Sequence, residues 1–252
     1  MGVGVDIMLE QKKDSKIKSD LYIKITKDGP YIVSGKLPLD KKIIIRDDAG
    51  FSVEWKKGET YKITEEYSLC RCGHSKNKPF CDGNHISSKF KGKETASRKK
   101  YIKEANKITG PELDLTDKEN LCFGAGFCHN KKGDVWNLVR QSNIKEAKYL
   151  AIKEACNCPS GRLVVWDKTG KPIEPKFSQS ISLIEEPGKK VSGPIWAKGK
   201  IDIISSDGKL YEKMNRISLC RCGHSKNKPF CDGNHVSIGF NDKDSSLLKN
   251  MG

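Results

Sequence analysis

One run of residues occurs twice without change in this chain, at 68–85 and again at 218–235. Each copy holds three cysteines and a terminal histidine in the spacing C-x-C-x8-C-x3-H. Thiolates and imidazoles are side chains that bind zinc and iron–sulfur clusters. We therefore interpret each copy as a metal-binding segment, and we call the two copies the first and the second Cys-His loop.

The spacing within a Cys-His loop predicts how its ligands are presented. Residues two apart in an extended segment point to the same side, so Cys70 and Cys72 can present both thiolates to one metal. Residues four apart share a face of a helix, so a short helix starting near Cys81 would bring its sulfur close to His85. Asp82 would then stand at the N-terminal end of that helix. The candidate ligands are Cys70, Cys72, Cys81, His85, Cys220, Cys222, Cys231 and His235.

These ligand types by themselves leave the metal open. Structural zinc sites also use three cysteines and one histidine, but their cysteine pairs usually have more than one residue between them. Disulfides are a further alternative, because the ten cysteines are an even number. However, the chain of 252 residues is long for a disulfide scaffold, and its start lacks the pattern of a signal peptide. The spacing favours iron–sulfur over zinc.

The run C-x-C, a loop with Ser, Pro and Phe, and then Cys-Asp-Gly-Asn-His resembles the CDGSH iron–sulfur domain, the mitoNEET-like fold. The chain has Asn where the family name has Ser, a position that holds no ligand. The resemblance implies a [2Fe–2S] cluster in each Cys-His loop. It places the C-x-C pair on the inner iron, which is Cys70 and Cys72 in the first loop and Cys220 and Cys222 in the second. It places the last cysteine and the histidine on the outer iron, which are Cys81 and His85 in the first loop and Cys231 and His235 in the second.

The duplication extends beyond the Cys-His loops. A segment that begins at Gly29-Pro30 recurs in pattern at Gly193-Pro194. The distance from this Gly-Pro pair to the first loop cysteine is 41 residues in the first copy and 27 in the second, so the first copy carries about one additional hairpin. Apolar and alternating runs predict strands at 21–25, 31–33, 42–45 and 51–55.

Each unit alone is too small to bury much core, and members of the resembled family with one motif form two-fold dimers. We therefore expect a mostly β fold with a small α+β insert. Its two mitoNEET-like β units would form an internal pseudo-dimer in a monomeric chain. The predicted domains are 1–92, 93–178 and 179–252, the middle one ferredoxin-like. The charged segment at 11–20 is expected to be a mobile lead-in.

Four further cysteines lie between the two halves. Cys122 and Cys128 flank a glycine-containing run, and Cys156 and Cys158 follow a stretch, 144–155, with helical spacing of apolar residues. A strand is predicted next, at 163–166.

This pattern resembles a divergent single-cluster ferredoxin domain over roughly 108–176, with Ala125 where many ferredoxins have a cysteine. The resemblance implies that Cys122, Cys128 and Cys158 hold a [3Fe–4S] cluster, or a [4Fe–4S] cluster if Cys156 is the fourth ligand. The alternative is a domain that has lost its cluster. His129 is a weaker candidate ligand beside Cys128.

The formal net charge is +15, but the lysines are spread along the chain and no nucleic-acid recognition motif accompanies them. A basic surface suits an acidic redox partner, such as a flavodoxin or ferredoxin. No apolar run approaches the length of a membrane span, so we expect a cytoplasmic protein. Arg71 and Arg221, together with nearby lysines, are expected either to stabilise a reduced cluster or to form a solvated basic loop.

Two classes of function remain. The first is a protein that binds clusters for one-electron transfer or redox sensing, or for cluster storage and donation. The second is an enzyme, as the redox subunit of an oxidoreductase. Because the sequence contains no nucleophile elbow, phosphate loop or paired-carboxylate signature, the first class is favoured.

Overall fold

The computed structural model describes residues 20–247. The lead-in expected at 11–20 therefore lies, except for Asp20, outside the described residues. The four strands predicted for the first half are confirmed, although the third and fourth are longer than expected. The first half contains β1 (Tyr22–Ile25), β2 (Tyr31–Ser34), β3 (Leu39–Arg46), β4 (Ser52–Thr60), β5 (Glu66–Leu69) and α1 (Asn84–Ser87).

The middle part folds as a four-stranded sheet with two helices. The predicted helix at 144–155 and the predicted strand at 163–166 are both present to within two residues. The elements are β6 (Asn106–Thr109), β7 (Leu113–Asp117), β8 (His129–Asn130), β9 (Gly133–Asp134), α2 (Val135–Arg140), α3 (Lys145–Asn157), β10 (Leu163–Asp167) and β11 (Pro172–Ile173). The sheet order is β11-β10-β7-β6, and α2 and α3 pack on it around their own apolar core.

The second half repeats the first in shortened form. Its elements are β12 (Ser180–Glu186), β13 (Val191–Lys198), β14 (Asp202–Ile204), β15 (Arg216–Leu219) and α4 (Asn234–Ser237). Short 3₁₀ turns occur at Tyr101–Lys103, Glu119–Leu121, Pro187–Lys189 and Ser245–Leu247.

The two halves exchange strands. One sheet has the order β14-β1-β2-β5 and the other β15-β13-β12-β3-β4. Thus β14 of the second half pairs in parallel with β1, and β3 of the first half pairs in parallel with β12. This reciprocal pairing is the internal pseudo-dimer that the duplication predicts. The additional residues of the first copy form β4 and lengthen β3, since β3 corresponds to the shorter β14 and no named strand of the described second half corresponds to β4.

The exchange brings both Cys-His loops to one central position. A Cβ built on Gly73 would lie 2.6 Å from the carbonyl oxygen of Cys222, and one on Gly223 would lie 2.6 Å from that of Cys72. The hydroxyl of Tyr31 donates to the carbonyl of Cys220 at 2.8 Å, and the two halves share one apolar core. The Cys-His loops therefore support each other across the pseudo-two-fold axis.

Candidate iron–sulfur centres

Each Cys-His loop begins where the last strand of its half ends. After β5, the chain leaves the sheet at Cys70 and returns antiparallel to itself, with Cys70 N–H donating to Pro79 O at 2.8 Å and Cys81 N–H to Ser68 O at 2.9 Å. The second loop after β15 has the same two bonds at the same lengths, from Cys220 and Cys231. The backbone thus delivers the first and third cysteines to one site.

Within each loop the candidate ligands come as two close pairs. The Sγ atoms of Cys70 and Cys72 are 3.7 Å apart, and Cys81 Sγ is 3.4 Å from His85 Nδ1. The corresponding distances in the second loop are also 3.7 Å and 3.4 Å. A tetrahedral metal with bonds of about 2.3 Å holds two sulfurs roughly 3.8 Å apart. Each pair is therefore spaced as two ligands of one metal. No three His, Cys, Asp or Glu side chains within residues 20–247 converge as ligands of a single ion.

The helix that carries the histidine starts later than the sequence predicts. It begins at Asn84, after Gly83 in the left-handed conformation with φ of 88°, and not near Cys81. The Asp82 carboxylate instead accepts from the backbone N–H of Lys76 at 2.7 Å and of Asn84 at 3.0 Å, and these bonds lower the pKa of Asp82. A glycine turn therefore brings Cys81 and His85 together, and Asp82 closes the loop.

The inner cysteines are buried in surroundings that favour a thiolate. Cys70 and Cys72 are 4% and 3% exposed. A hydrogen bond from Cys72 lowers the pKa of Cys70 to about 5 and raises the pKa of Cys72. Backbone N–H groups of Gly73 and Ser75 also favour the Cys70 thiolate, and His74 N–H lies 3.4 Å from Cys72 Sγ. Such donors to sulfur orient and stabilise metal-bound thiolates.

The arginine between the paired cysteines is buried, so the expectation of a solvated basic loop is wrong for it, while its effect on a reduced cluster stays a prediction. Arg71 is 2% exposed and donates to the carbonyls of Thr26, Gly29 and Gly92, each at 2.8 Å. Its counterpart Arg221 is 4% exposed and bonds the carbonyls of Gly193 and Ile184 as well as buried carboxylates. Neither arginine belongs to a solvated loop. Arg71 ties its Cys-His loop to the turn between β1 and β2, and Arg221 ties its loop to the strands β12 and β13.

The two histidines have different surroundings. His235 is 1% exposed, and its Nε2 lies 3.1 Å from Glu186 Oε1. His85 is partly exposed, and within residues 20–247 its Nε2 has no hydrogen-bond partner. Sequence reasoning missed Glu186. The sequence feature that could have indicated it is the connection before Gly193, which is longer than the corresponding connection before Gly29.

Three of the four middle cysteines line one pocket. Cys122, Cys128 and Cys158 surround it together with the glycine-rich run between the first two. Burial raises the pKa of Cys128 to about 12, with further contributions from Cys158 and Cys122. Cys156 lies apart, on the last turn of α3, with its Sγ 3.7 Å from the carbonyl oxygen of Ile173.

Two other side chains border this middle site. His129 Nδ1 lies 3.2 Å from Cys128 Sγ, and the histidine is exposed. Arg162 lines the pocket and is held by Asp117 through bonds of 2.6 and 2.8 Å. A partly buried cation beside three thiols offsets the negative charge that they acquire as thiolates. The residues present thus fit a three-cysteine cluster.

Family models identify all three parts of the chain. The model described as iron-binding zinc finger, CDGSH type, matches residues 28–86 and 192–236. The model described as divergent 4Fe-4S mono-cluster matches residues 108–168. No curated protein and no solved structure gives a significant match. Each matched range lies inside one predicted domain, although the domain boundaries stay a prediction.

No helix in the described part of the chain is long and apolar enough to cross a membrane. Both Cys-His loops carry the same donors at the same spacing, and the middle part gathers three cysteines. With these sites and the family matches together, the chain is an iron–sulfur protein that contains two CDGSH-type regions flanking a divergent 4Fe-4S mono-cluster region.

Proposed function

We propose that each Cys-His loop binds a [2Fe–2S] cluster and that the protein is a carrier of single electrons. The observation that carries this proposal is the division of each ligand set into two close pairs, at 3.7 and 3.4 Å. One pair suits each iron of a two-iron centre, whereas a mononuclear zinc site needs all four ligands around one ion.

The chemistry that such a cluster supplies is reversible uptake of one electron. A histidine in place of a thiolate removes one negative charge from the ligand set, so it favours the reduced form relative to four cysteines. The chain's own residues exclude water from the inner pair and direct backbone N–H groups at its sulfurs. Both effects adjust a cluster's potential without supplying any substrate chemistry.

The middle site is proposed to hold a [3Fe–4S] cluster on Cys122, Cys128 and Cys158. The pocket that these three line supports this ligand number, and the position of Cys156 on the far side of α3 argues against a fourth cysteine. A middle part that has lost its cluster is the alternative.

The proposed partner is an acidic redox protein of the flavodoxin or ferredoxin class in the cytoplasm. The net charge of +15 favours association with an acidic surface. Cluster storage and donation is the second candidate function, favoured by the partial exposure of Cys81 and His85 in the first loop. A redox subunit of a larger oxidoreductase is a third.

The experiment is metal and sulfide analysis of anaerobically purified protein, with EPR before and after reduction. We expect about four irons per chain from two [2Fe–2S] clusters, or about seven with a [3Fe–4S] cluster. Cys81→Ser and Cys231→Ser should each remove about two irons. A colourless protein that contains zinc and no acid-labile sulfide would contradict the proposal.

A further inference from the structure

The middle part of the chain covers the second Cys-His loop. Phe123, next to the middle-site cysteine Cys122, packs with its ring centroid 5.9 Å from that of His235. Phe123 and Phe127 belong to one buried apolar cluster with Cys231. The backbone is equally close, because a Cβ on Gly233 would lie 3.4 Å from the carbonyl oxygen of Phe123. The outer ligand pair of the second loop therefore faces the middle site and not solvent.

A chain of polar contacts joins the same two sites. His235 Nε2 contacts Glu186, the other carboxylate oxygen of Glu186 is 2.8 Å from Lys189 Nζ, and Lys189 Nζ donates to the carbonyl of Gly124. Glu186 is fully buried. Glu186 is the last residue of β12, and Lys189 lies in the connection from β12 to β13. The corresponding β1–β2 turn of the first half, 26–30, is too short to make such a contact.

The first Cys-His loop is open by comparison. Cys81 and His85 are both partly exposed, whereas Cys231 and His235 are 2% and 1% exposed. Ile86, directly after the first histidine, is 75% exposed. Three lysines close in sequence to these ligands, Lys76, Lys89 and Lys91, are exposed. An exposed apolar residue with exposed lysines near it in the chain suits docking of an acidic protein.

We propose that the two CDGSH sites have different roles: the first Cys-His loop is the docking site for an acidic redox protein, and the second is an internal centre shielded by the middle part. This inference rests on the proposed function, since both loops must hold clusters. Glu186 and Phe123 are positioning residues that keep solvent from the second site. A difference in access follows, although the sequences of the two loops are identical.

Access is tested by exposing the full-length protein to a water-soluble iron chelator under anaerobic conditions and following its visible absorption. We expect one phase from each Cys-His loop: the fast phase belongs to the first loop and is absent in Cys81→Ser, and the slow phase belongs to the second loop and is absent in Cys231→Ser. A contribution from the middle site is recognised because it persists in both variants. Glu186→Gln and Phe123→Leu should accelerate only the slow phase, by about tenfold, since partners of a metal-bound histidine have effects of that size. Glu146→Gln, at an exposed position on α3, is the control and should change neither rate.

Docking is tested by measuring the binding of an acidic ferredoxin to two variants, in which the equivalent lysine of either the first or the second loop is replaced. Lys76→Glu should weaken binding about fivefold, and the matched Lys226→Glu should leave it unchanged. Single-phase cluster loss, equal acceleration of both phases, absence of ferredoxin binding, or equal effects of the two lysine variants would each overturn the inference. Protein without cluster absorption at the outset would instead contradict the proposed function, so the two failures are distinguishable.

Discussion

Buried polar side chains hold the two Cys-His loops in place. Arg71 and Arg221 donate to main-chain carbonyls next to the loops, and Tyr31 donates to the carbonyl of Cys220 across the pseudo-two-fold axis. Because an unpaired buried polar group costs free energy, each of these side chains fixes a particular turn next to a ligand.

Replacing Tyr31 with Phe isolates one of these bonds. The hydroxyl of Tyr31 also contacts the carbonyl of Pro229 at 3.2 Å, and the side chain is fully buried. Tyr31→Phe should lower the free energy of unfolding by about 1.5 kcal/mol, since two buried carbonyls lose a donor. Denaturant unfolding measures this change. Tyr149→Phe, at a site 64% exposed, is the control, and equal effects of the two variants would argue against a cross-half bond.

Glu154 on α3 predicts a pH dependence of stability. Burial raises its pKa to about 7 in the folded protein, above the ordinary pKa of a glutamate, 4.5. Between pH 4.5 and pH 7 the folded protein keeps a proton on Glu154 that the unfolded chain has already released. Because the unfolded state then binds fewer protons, the free energy of unfolding falls as the pH rises through this range.

The unfolding free energy of Glu154→Gln minus that of wild type should therefore increase by about 2 kcal/mol from pH 4.5 to pH 8. The difference in unfolding free energy between variant and wild type, measured at both pH values, checks this. Glu146→Gln on the exposed face of the same helix should show no such pH-dependent difference. A Glu154 difference that stays constant with pH would show that the carboxyl titrates normally.

At the scale of elements, a glycine turn in each Cys-His loop and the strand exchange depend on each other. Gly73 has φ of 81°, and its Cα faces the backbone of Cys222 from the other half. Any side chain there would separate the two loops, because the nearest atoms are main chain and cannot rotate away.

Gly73→Ala should therefore cost more than about 2 kcal/mol and loosen both sites, whereas Gly50→Ala should cost only about 1 kcal/mol. Gly50 has a similar φ of 83° but open space around it, so it reports backbone strain alone. Unfolding free energies of the two variants provide the comparison. Equal costs would indicate that the loops do not touch as described.

For the whole molecule, strand exchange within one chain takes the place of a dimer. β14 completes the sheet of the first half, and β3 completes that of the second. We expect light scattering coupled to size exclusion to give the mass of a single chain. A mass of two chains would indicate that the exchanged strands come from different molecules, since the same pairing is possible between copies.

The sequence by itself determined the doubled β fold, the helix before Cys158 and which side chains of the Cys-His loops are the candidate ligands; that these bind a cluster stays a prediction. Ligand type, short-range spacing and periodicity are local properties that can be read directly from the order of residues. The late start of the histidine helix was missed, because a glycine turn can place two side chains as well as a helical turn can.

Tertiary structure alone decided which histidine is buried and which cysteines meet. Two loops of identical sequence differ because Glu186 and Phe123, distant along the chain, pack against only one of them. Likewise Cys156, two residues from Cys158, lies away from the pocket because of the direction in which α3 ends. Burial and charge around a site come from contacts between distant segments, and these exist only once the chain has folded.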